Sequence, residues 1–203
     1  MTKADIINRL IQQNNYKSYL EIGVAAGENY NQIVCEYKSN VDPCFDDKDS
    51  QDRNIVVNLM TSDEFFEKTE ETFDIIFIDG LHVYEQVYRD IQNSLKALNP
   101  GGSVVCHDML PPTEWHQRPA NEFFKGQQWN GDSWKGLARI RTEQDLKVYT
   151  VNTDWGVGVI QTAESPRYEG DLNEILQYTY FQKHVFELMN VVTPEEFLAL
   201  TEK

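Results

Sequence analysis

YLEIGVAAGE, residues 19–28, decides how the rest of the chain is read. Tyr19-Leu20-Glu21-Ile22 has the character of a short strand, Gly23 ends it, and Gly27 stands four residues on, where a helix begins. Two glycines at a strand-to-helix turn let the backbone approach a ligand closely, because neither carries a Cβ. The dinucleotide pattern G-x-G-x-x-G is not met, since Ala25 stands where its second glycine should be. Beyond the turn, Tyr30, Ile33, Val34 and Tyr37 fall at i, i+3, i+4 and i+7, which predicts a helix with one buried face. Upstream, Ile6, Ile7, Leu10 and Ile11 make a second helical stripe.

Strands and helices continue to alternate. A brief Asn40-Val41 strand ends in Asp42-Pro43, Ile55-Val56-Val57 is a third strand, and Phe73-Asp74-Ile75-Ile76-Phe77-Ile78 a fourth. The fourth is nearly all apolar, as a parallel strand covered on both faces must be. Tyr84, Val87, Tyr88, Ile91, Leu95 and Leu98 mark the next helix, which Asn99-Pro100-Gly101-Gly102 should stop before strand five, Ser103-Val104-Val105-Cys106. Residues 109–135 break the rhythm with adjacent prolines, three tryptophans and adjacent phenylalanines. So long a loop in a compact domain is usually functional. A helix around Trp134, Leu137, Ala138 and Ile140 leads to strands at 146–151 and 157–162, joined so tightly by Asn152-Thr153-Asp154 that they should pair antiparallel. The C-terminus should be helical, because Thr193-Pro194-Glu195-Glu196 combines a capping box with proline at the first helical position.

This order implies an α/β fold with an open, mostly parallel sheet and right-handed crossovers. Ligands of such sheets sit beyond the carboxyl ends of the strands where strand order reverses, which would gather residues 21–27, 42, 79–82 and 106–108. The 203 residues fit one domain. No run approaches the ~20 apolar residues of a membrane span, and the charged N-terminus does not fit a signal peptide. Cys35, Cys44 and Cys106 lack C-x-x-C spacing, which suits a reducing cytoplasm better than a disulfide framework or a thiolate zinc site. A net charge of −15 would repel a phosphate backbone, so a small or neutral partner is expected and nucleic acid is not.

Several side chains at those strand ends carry chemistry. Asp42 lies about 20 residues after the glycine turn, where a carboxylate can accept both hydroxyls of a ribose; its removal should then weaken ligand binding and leave folding intact. A plain turn role before Pro43 is the alternative. Thr61-Ser62-Asp63 lies where an adenine edge would be read, or else caps the following helix. Asp79 ends strand four and Asp108 strand five. Two such carboxylates suit Mg²⁺ or another oxygen-preferring ion. His107 as a further ligand would tilt the choice toward Zn²⁺ or Fe²⁺. His82 is the candidate general base, with a helix-start histidine facing water as the alternative. In the long loop, Trp115 suits the face of a substrate ring, with His116 and Arg118 for polar contacts, whereas Trp134 reads as core.

In their order and spacing, YLEIGVAAGE, VDP, FDIIFIDGLHVYEQVYRDI and LNPGGSVVCHD resemble the class I S-adenosylmethionine (SAM) dependent methyltransferases over about residues 17–162. The resemblance implies a seven-stranded sheet of order 3-2-1-4-5-7-6, strand seven antiparallel, with helices on both faces. It implies that Glu21, Gly23 and Gly27 wrap the methionine part of the cofactor, that Asp42 holds the ribose, that Ser62 and Asp63 lie at the adenine and that Asp79 faces the methyl group. FIDGLHVY followed by HD looks more like the branch of catechol and macrocin-type sugar O-methyltransferases than the nucleic-acid or protein-modifying branches. In the catechol-like branch an acid after strand four and an Asp-Asp or Asp-Asn pair after strand five hold the metal; His107-Asp108 departs from that pair. The interval from Gly27 to Asp42 is also short, so the first crossover helix must be compact. The expectation is therefore SAM-dependent O-methylation of a small hydroxylated molecule by one domain, residues 1–203. Its core would be 17–162, with a substrate lid at 109–135 and C-terminal helices at 163–203. A nicotinamide-dependent oxidoreductase and a non-catalytic nucleoside-binding protein are the competing readings.

Overall fold

Among the described residues seven strands share one sheet: β1 (Ser18–Ile22), β2 (Tyr37–Val41), β3 (Phe73–Ile78), β4 (Leu98–Cys106), β5 (Lys147–Val151), β6 (Val157–Gln161) and β7 (Val191–Val192). The structure, a computed structural model, describes residues 1–45, 57–124 and 126–202. Strand order is β2-β1-β3-β4-β6-β5-β7. All neighbours are parallel except β6, which runs antiparallel to both β4 and β5. The expected order is therefore present, with the expected antiparallel hairpin as β5 and β6. The expected strand at 55–57 lies mostly outside the described residues; just beyond it, Asn58 makes a parallel bridge with Val41, on the outer side of β2.

Alternation along the strands divides the core in two. Leu20, Ile22, Ile76, Ile78, Val104 and Cys106 face one side, where they meet Val87 and Ile91 of α4 (Tyr84–Lys96) and Trp134, Leu137 and Ile140 of α5 (Trp134–Glu143). Tyr19, Ile75, Phe77, Val105, Tyr149 and Val159 face the other, against Ile6, Ile7 and Leu10 of α1 (Lys3–Asn14) and Phe197 of α8 (Pro194–Leu200). A period of two on the strands and 3.6 on the helices makes these sets coincide. Thr2 and Asp5 form a reciprocal capping box that starts α1, and Asn15 ends it in the left-handed region. Thr193 and Glu196 start α8 in the same way, with Pro194 at the first position as read from sequence. The remaining helices are α2 (Glu28–Gln32), α3 (Ser62–Lys68), α6 (Leu172–Ile175) and α7 (Tyr178–Leu188).

Three elements differ from expectation. The helix after Gly27 lasts five residues, Val34 is 77% exposed, and Tyr37 already belongs to β2. β2 needs five residues to pair Ser18 through Ile22 of β1, which leaves the crossover little more than one helical turn. The Asn99-Pro100-Gly101-Gly102 segment lies inside β4, where a register shift between Phe73 and Ile75 accommodates it. Finally, β7 is a strand in what reads as helical sequence; it pairs parallel to β5 through Thr150 and Val151.

Candidate active site

The glycine turn is held from two sides. Gly23 has φ +86°, and a Cβ there would lie 2.2 Å from the Asp79 carbonyl oxygen. Close packing of the β1 and β3 ends thus demands this glycine, whether or not a ligand is present. On the other side Asp42 Oδ2 accepts the N–H groups of Val24 and Ala25, both at 2.9 Å, and Oδ1 accepts that of Cys44 at 2.8 Å. Asp42 is therefore a brace of the turn. Removing it should therefore cost stability as well as ligand affinity, and Oδ1, which accepts a single N–H, keeps lone-pair capacity for a hydroxyl. Gly27, φ +80°, ends the turn and starts α2.

Two cavities open beside the turn, and Gly23 borders both. One, about 430 Å³, is walled by Lys3, Glu21, Asn29, Asp79 and Asp154 among others. The Tyr19 hydroxyl and Asn29 Nδ2, the latter at 2.9 Å, donate to Glu21, which is 1% exposed. Burial pushes the Glu21 carboxyl up to about 7, against those two hydrogen bonds. Asn29 Oδ1 is buried with no hydrogen-bond partner among the described residues. The other cavity, about 330 Å³, is walled by Asp42, Thr61, Ser62, Gly80, Gln86 and Asp90 among others. Ser62 Oγ and Gln86 Nε2 both donate to Asp90 Oδ1, at 2.6 and 3.0 Å, while burial pushes the Asp90 carboxyl up to about 6. Asp63 is not in this wall. As part of the first turn of α3, capped by Thr61, it turns toward Gln86 and Arg89 instead.

Beyond β3 and β4 the charges concentrate. Lys3 Nζ lies 2.7 Å from Asp79 Oδ2, and His82 Nε2 lies 3.3 Å from Asp79 Oδ1. His82 Nδ1 lies 3.3 Å from Asp108 Oδ2 but makes no well-formed hydrogen bond. His107 Nδ1 lies 3.2 Å from both carboxylates, its Nε2 lies 3.5 Å from Asp154, and Asn130 Nδ2 donates to Asp108 at 2.7 Å. Burial works against the Asp79 anion, yet His107, His82 and Lys3 hold its carboxyl well below the usual range. Burial likewise opposes both imidazolium ions, and the facing carboxylates nevertheless raise the pKa of each. Among the described residues, Asp79, His82 and Asp108 bring ligand atoms within 4.8 Å of one another. The two acids are those expected, but the imidazole grouped with them is His82, whereas His107 also faces Asp154 in the β5–β6 turn.

The long loop encloses a third cavity, about 750 Å³, bordered by His82, Glu114, Trp115, Arg118, Glu122 and Lys135 among others. Trp115 is 49% exposed there, with the Arg118 guanidinium stacked 3.7 Å over its ring. Arg118 donates to the carbonyls of Glu122, Trp115 and Gln128 and to Gln127 Oε1, so it holds the loop together and has little left for a ligand. His116 turns away from this wall, with Nδ1 on Thr113 at 2.8 Å and its ring between Trp115 and Trp155. Trp129 stacks on His82 at 5.5 Å. Gly131 allows the loop to come so near, since a Cβ there would lie 1.8 Å from the His82 carbonyl oxygen. Trp134 is fully buried against Phe181, the core position read from sequence.

The acids at strand ends were visible in sequence, whereas Lys3, Asn29, Asp90 and Asp154 were not. Lys3 read only as part of a charged N-terminus, and Asp154 only as part of the connection between two strands. Residues 17–109 match a family model described as Methyltransferase domain. No curated protein matches the chain. Solved structures do. A Podospora anserina methyltransferase, PaMTH1, bound to SAH superposes with TM-score 0.60 at 16% identity over 80% of this chain and 78% of that one. The Bacillus cereus O-methyltransferase in complex with SAH gives 0.53 at 15% identity, over 78% and 80%. TomG, a Streptomyces achromogenes O-methyltransferase involved in tomaymycin synthesis and in complex with SAM, gives 0.56 at 13%, over 79% of each. Residues 17–109, somewhat under half of the chain, are thus similar to a methyltransferase domain, and the open seven-stranded sheet is the fold that the chain shares with these solved methyltransferases.

Proposed function

We propose that this protein transfers the methyl group of SAM to a hydroxyl of a small molecule. The observation that carries this reading is the placement of Gly23 between two cavities, with Asp79 and His82 leading from them to a third. The methionine end of the cofactor fits the 430 Å³ cavity, whose Glu21, Asp79 and unpartnered Asn29 Oδ1 suit an ammonium. The adenosine end fits the 330 Å³ cavity, with Asp42 at the ribose and Ser62, Gln86 and Asp90 in place of Asp63 at the base. The acceptor occupies the 750 Å³ cavity, where Trp115 offers a flat apolar face.

The sulfonium already activates the methyl group, so the protein's task is to align the acceptor and take its proton. His82 Nδ1 is the atom placed to receive it, with Asp79 orienting the ring through Nε2 and Trp129 fixing its plane. Two carboxylates and an imidazole also fit a divalent ion such as Mn²⁺, Zn²⁺ or Fe²⁺ better than Mg²⁺, with Asp79, His82 and Asp108 holding it. Bound there, the ion would lower the pKa of the acceptor hydroxyl.

We read residues 1–203 as one domain with 109–135 as the acceptor lid and 163–203 as C-terminal helices and the β7 edge. The net charge of −15 argues against a nucleic-acid partner. Among the described residues no helix is long and apolar enough to cross a membrane. Three free cysteines fit the cytoplasm. Calorimetric titration with SAH and NAD, followed by methyl transfer from labelled SAM to a panel of catechols and sugars, tests the reading. Affinity for NAD in place of SAH would overturn it in favour of an oxidoreductase. SAH binding with no transfer to any acceptor would leave a nucleoside-binding protein.

A further inference from the structure

We infer that Lys3, the first residue of α1, binds the α-carboxylate of the cofactor's amino-acid end and makes the cavity selective for ligands that carry one. The inference rests on reading the 430 Å³ cavity as the methionine site.

Glu21, Glu28, Asp79 and Asp154 all border this cavity, and among the described residues Lys3 is its only basic wall residue. Acids alone would suit an amine and reject an anion. Lys3 changes that balance. Its ammonium carries three N–H donors, of which Asp79 Oδ2 takes one at 2.7 Å, so two remain for a second carboxylate. Opposite charges within one small wall match an α-amino acid, whose ammonium and carboxylate share one carbon. The acceptor half is already in place, because Asn29 is 9% exposed and its Oδ1 lacks a partner among the described residues. The first turn of α1 borders the cavity through Thr2, Lys3 and Ala4, and the positive end of a helix dipole there also favours an anion.

The ammonium is held where it is needed. Asp154 Oδ2 accepts the Lys3 N–H at 2.8 Å, and Thr153 Oγ1 donates to the Met1 carbonyl at 2.6 Å, so the β5–β6 turn clamps the backbone on either side of Thr2. That turn runs through Asp154, Trp155 and Gly156 at φ of 48°, 64° and 90°, a left-handed run that aims the Asp154 carboxylate back at α1. Ile6 and Ile7 anchor the helix in the core one turn on.

The test compares SAH with 5′-methylthioadenosine, which keeps the adenosine and sulfur but lacks the amino acid. The wild-type protein should bind SAH more tightly. Lys3→Gln should weaken SAH at least about tenfold, or about 1.4 kcal/mol, and leave 5′-methylthioadenosine within about twofold; Lys3→Arg should restore much of the SAH affinity. Melting temperatures report whether each variant is folded. An unchanged SAH affinity in Lys3→Gln, or an equal loss for both ligands, overturns the assignment. If the wild-type protein itself prefers 5′-methylthioadenosine or binds neither ligand, the methionine-site reading fails instead.

Discussion

Replacing Asp42 should damage the glycine turn and ligand binding together, and the structure sets the size of each effect. Asp42→Ala leaves three backbone N–H groups without their charged acceptor: those of Val24, Ala25 and Cys44. Val24 is buried, so its N–H should cost about 1–3 kcal/mol. Ala25 and Cys44 lie at the surface, regain water and should cost roughly 0.5 kcal/mol each. The total, about 2–4 kcal/mol, is survivable against a typical stability of roughly 5–15 kcal/mol. With a urea m-value of about 2 kcal/mol/M, the midpoint should fall by about 1–2 M. SAH affinity should drop at least about tenfold, since a loosened turn and a lost ribose acceptor act on the same ligand. Asp42→Asn separates this account from a purely ligand-binding role. Both carboxylate oxygens accept N–H groups, so whichever way the amide sits its NH₂ meets a donor. The asparagine variant should therefore be about as unstable as the alanine one. Urea denaturation followed by tryptophan fluorescence, with calorimetric SAH titration at 25 °C, decides the matter; a wild-type urea midpoint in Asp42→Asn would refute the bracing role.

Other expectations follow from burial and position. Glu21 has a folded pKa of about 7 against an ordinary 4.5, so the folded state holds the proton more tightly; its contribution to stability is present below about pH 4.5 and is lost as pH rises through about 7. The stability of Glu21→Gln relative to wild type should thus grow by up to about 3 kcal/mol from pH 4 to pH 8, and a constant gap between their urea stabilities would contradict this. Trp115→Ala should raise the acceptor KM several-fold at unchanged SAH affinity and stability, whereas Trp134→Ala should cost about 3–5 kcal/mol of stability; the Trp115 idea fails if both constants stay at wild-type values. His82→Ala should abolish methyl transfer with SAH affinity within a few-fold, and EDTA should lower activity that Mn²⁺ or Mg²⁺ restores. Full activity in exhaustive chelator, with no metal detected by elemental analysis, would remove the ion and leave Asp79 and His82 as the acid/base pair.

The sheet was legible because its signals are local and redundant. Phe73–Ile78 is apolar on both faces, the Gly23 turn marks a strand end, and the five residues between β5 and β6 are too few for a parallel crossover. Apolar spacing misled at Tyr30 to Tyr37, where a pattern of 3.6 also fits one helical turn, an extended link and the start of β2. Val191–Val192 is too short to leave any periodic trace. In the site, Asp79 and Asp108 could be placed by the rule that strand ends carry ligands, but side-chain direction could not. Asp63 faces away from the cavity because Thr61 caps its helix, and Arg118 is consumed by loop carbonyls. Lys3 reaches Asp79 across 76 residues of chain and Asp154 across 151, separations at which no local pattern survives.

Those separations also govern the order of events during synthesis. The ribosome makes α1 before the sheet it packs against, yet Lys3 lacks its Asp154 clamp until residue 154 has emerged and folded into its turn, and Arg9 finds the Thr201 hydroxyl and carbonyl only across 192 residues. Residues of α1 are thus made before, and seated after, the strands between them and the β5–β6 turn. A nascent chain halted before the β5–β6 turn can carry a formed β1 and glycine turn while one wall of its cofactor cavity is still missing. If this cavity is the cofactor site, SAH should protect chains that include the β5–β6 turn from protease and leave chains halted before it exposed.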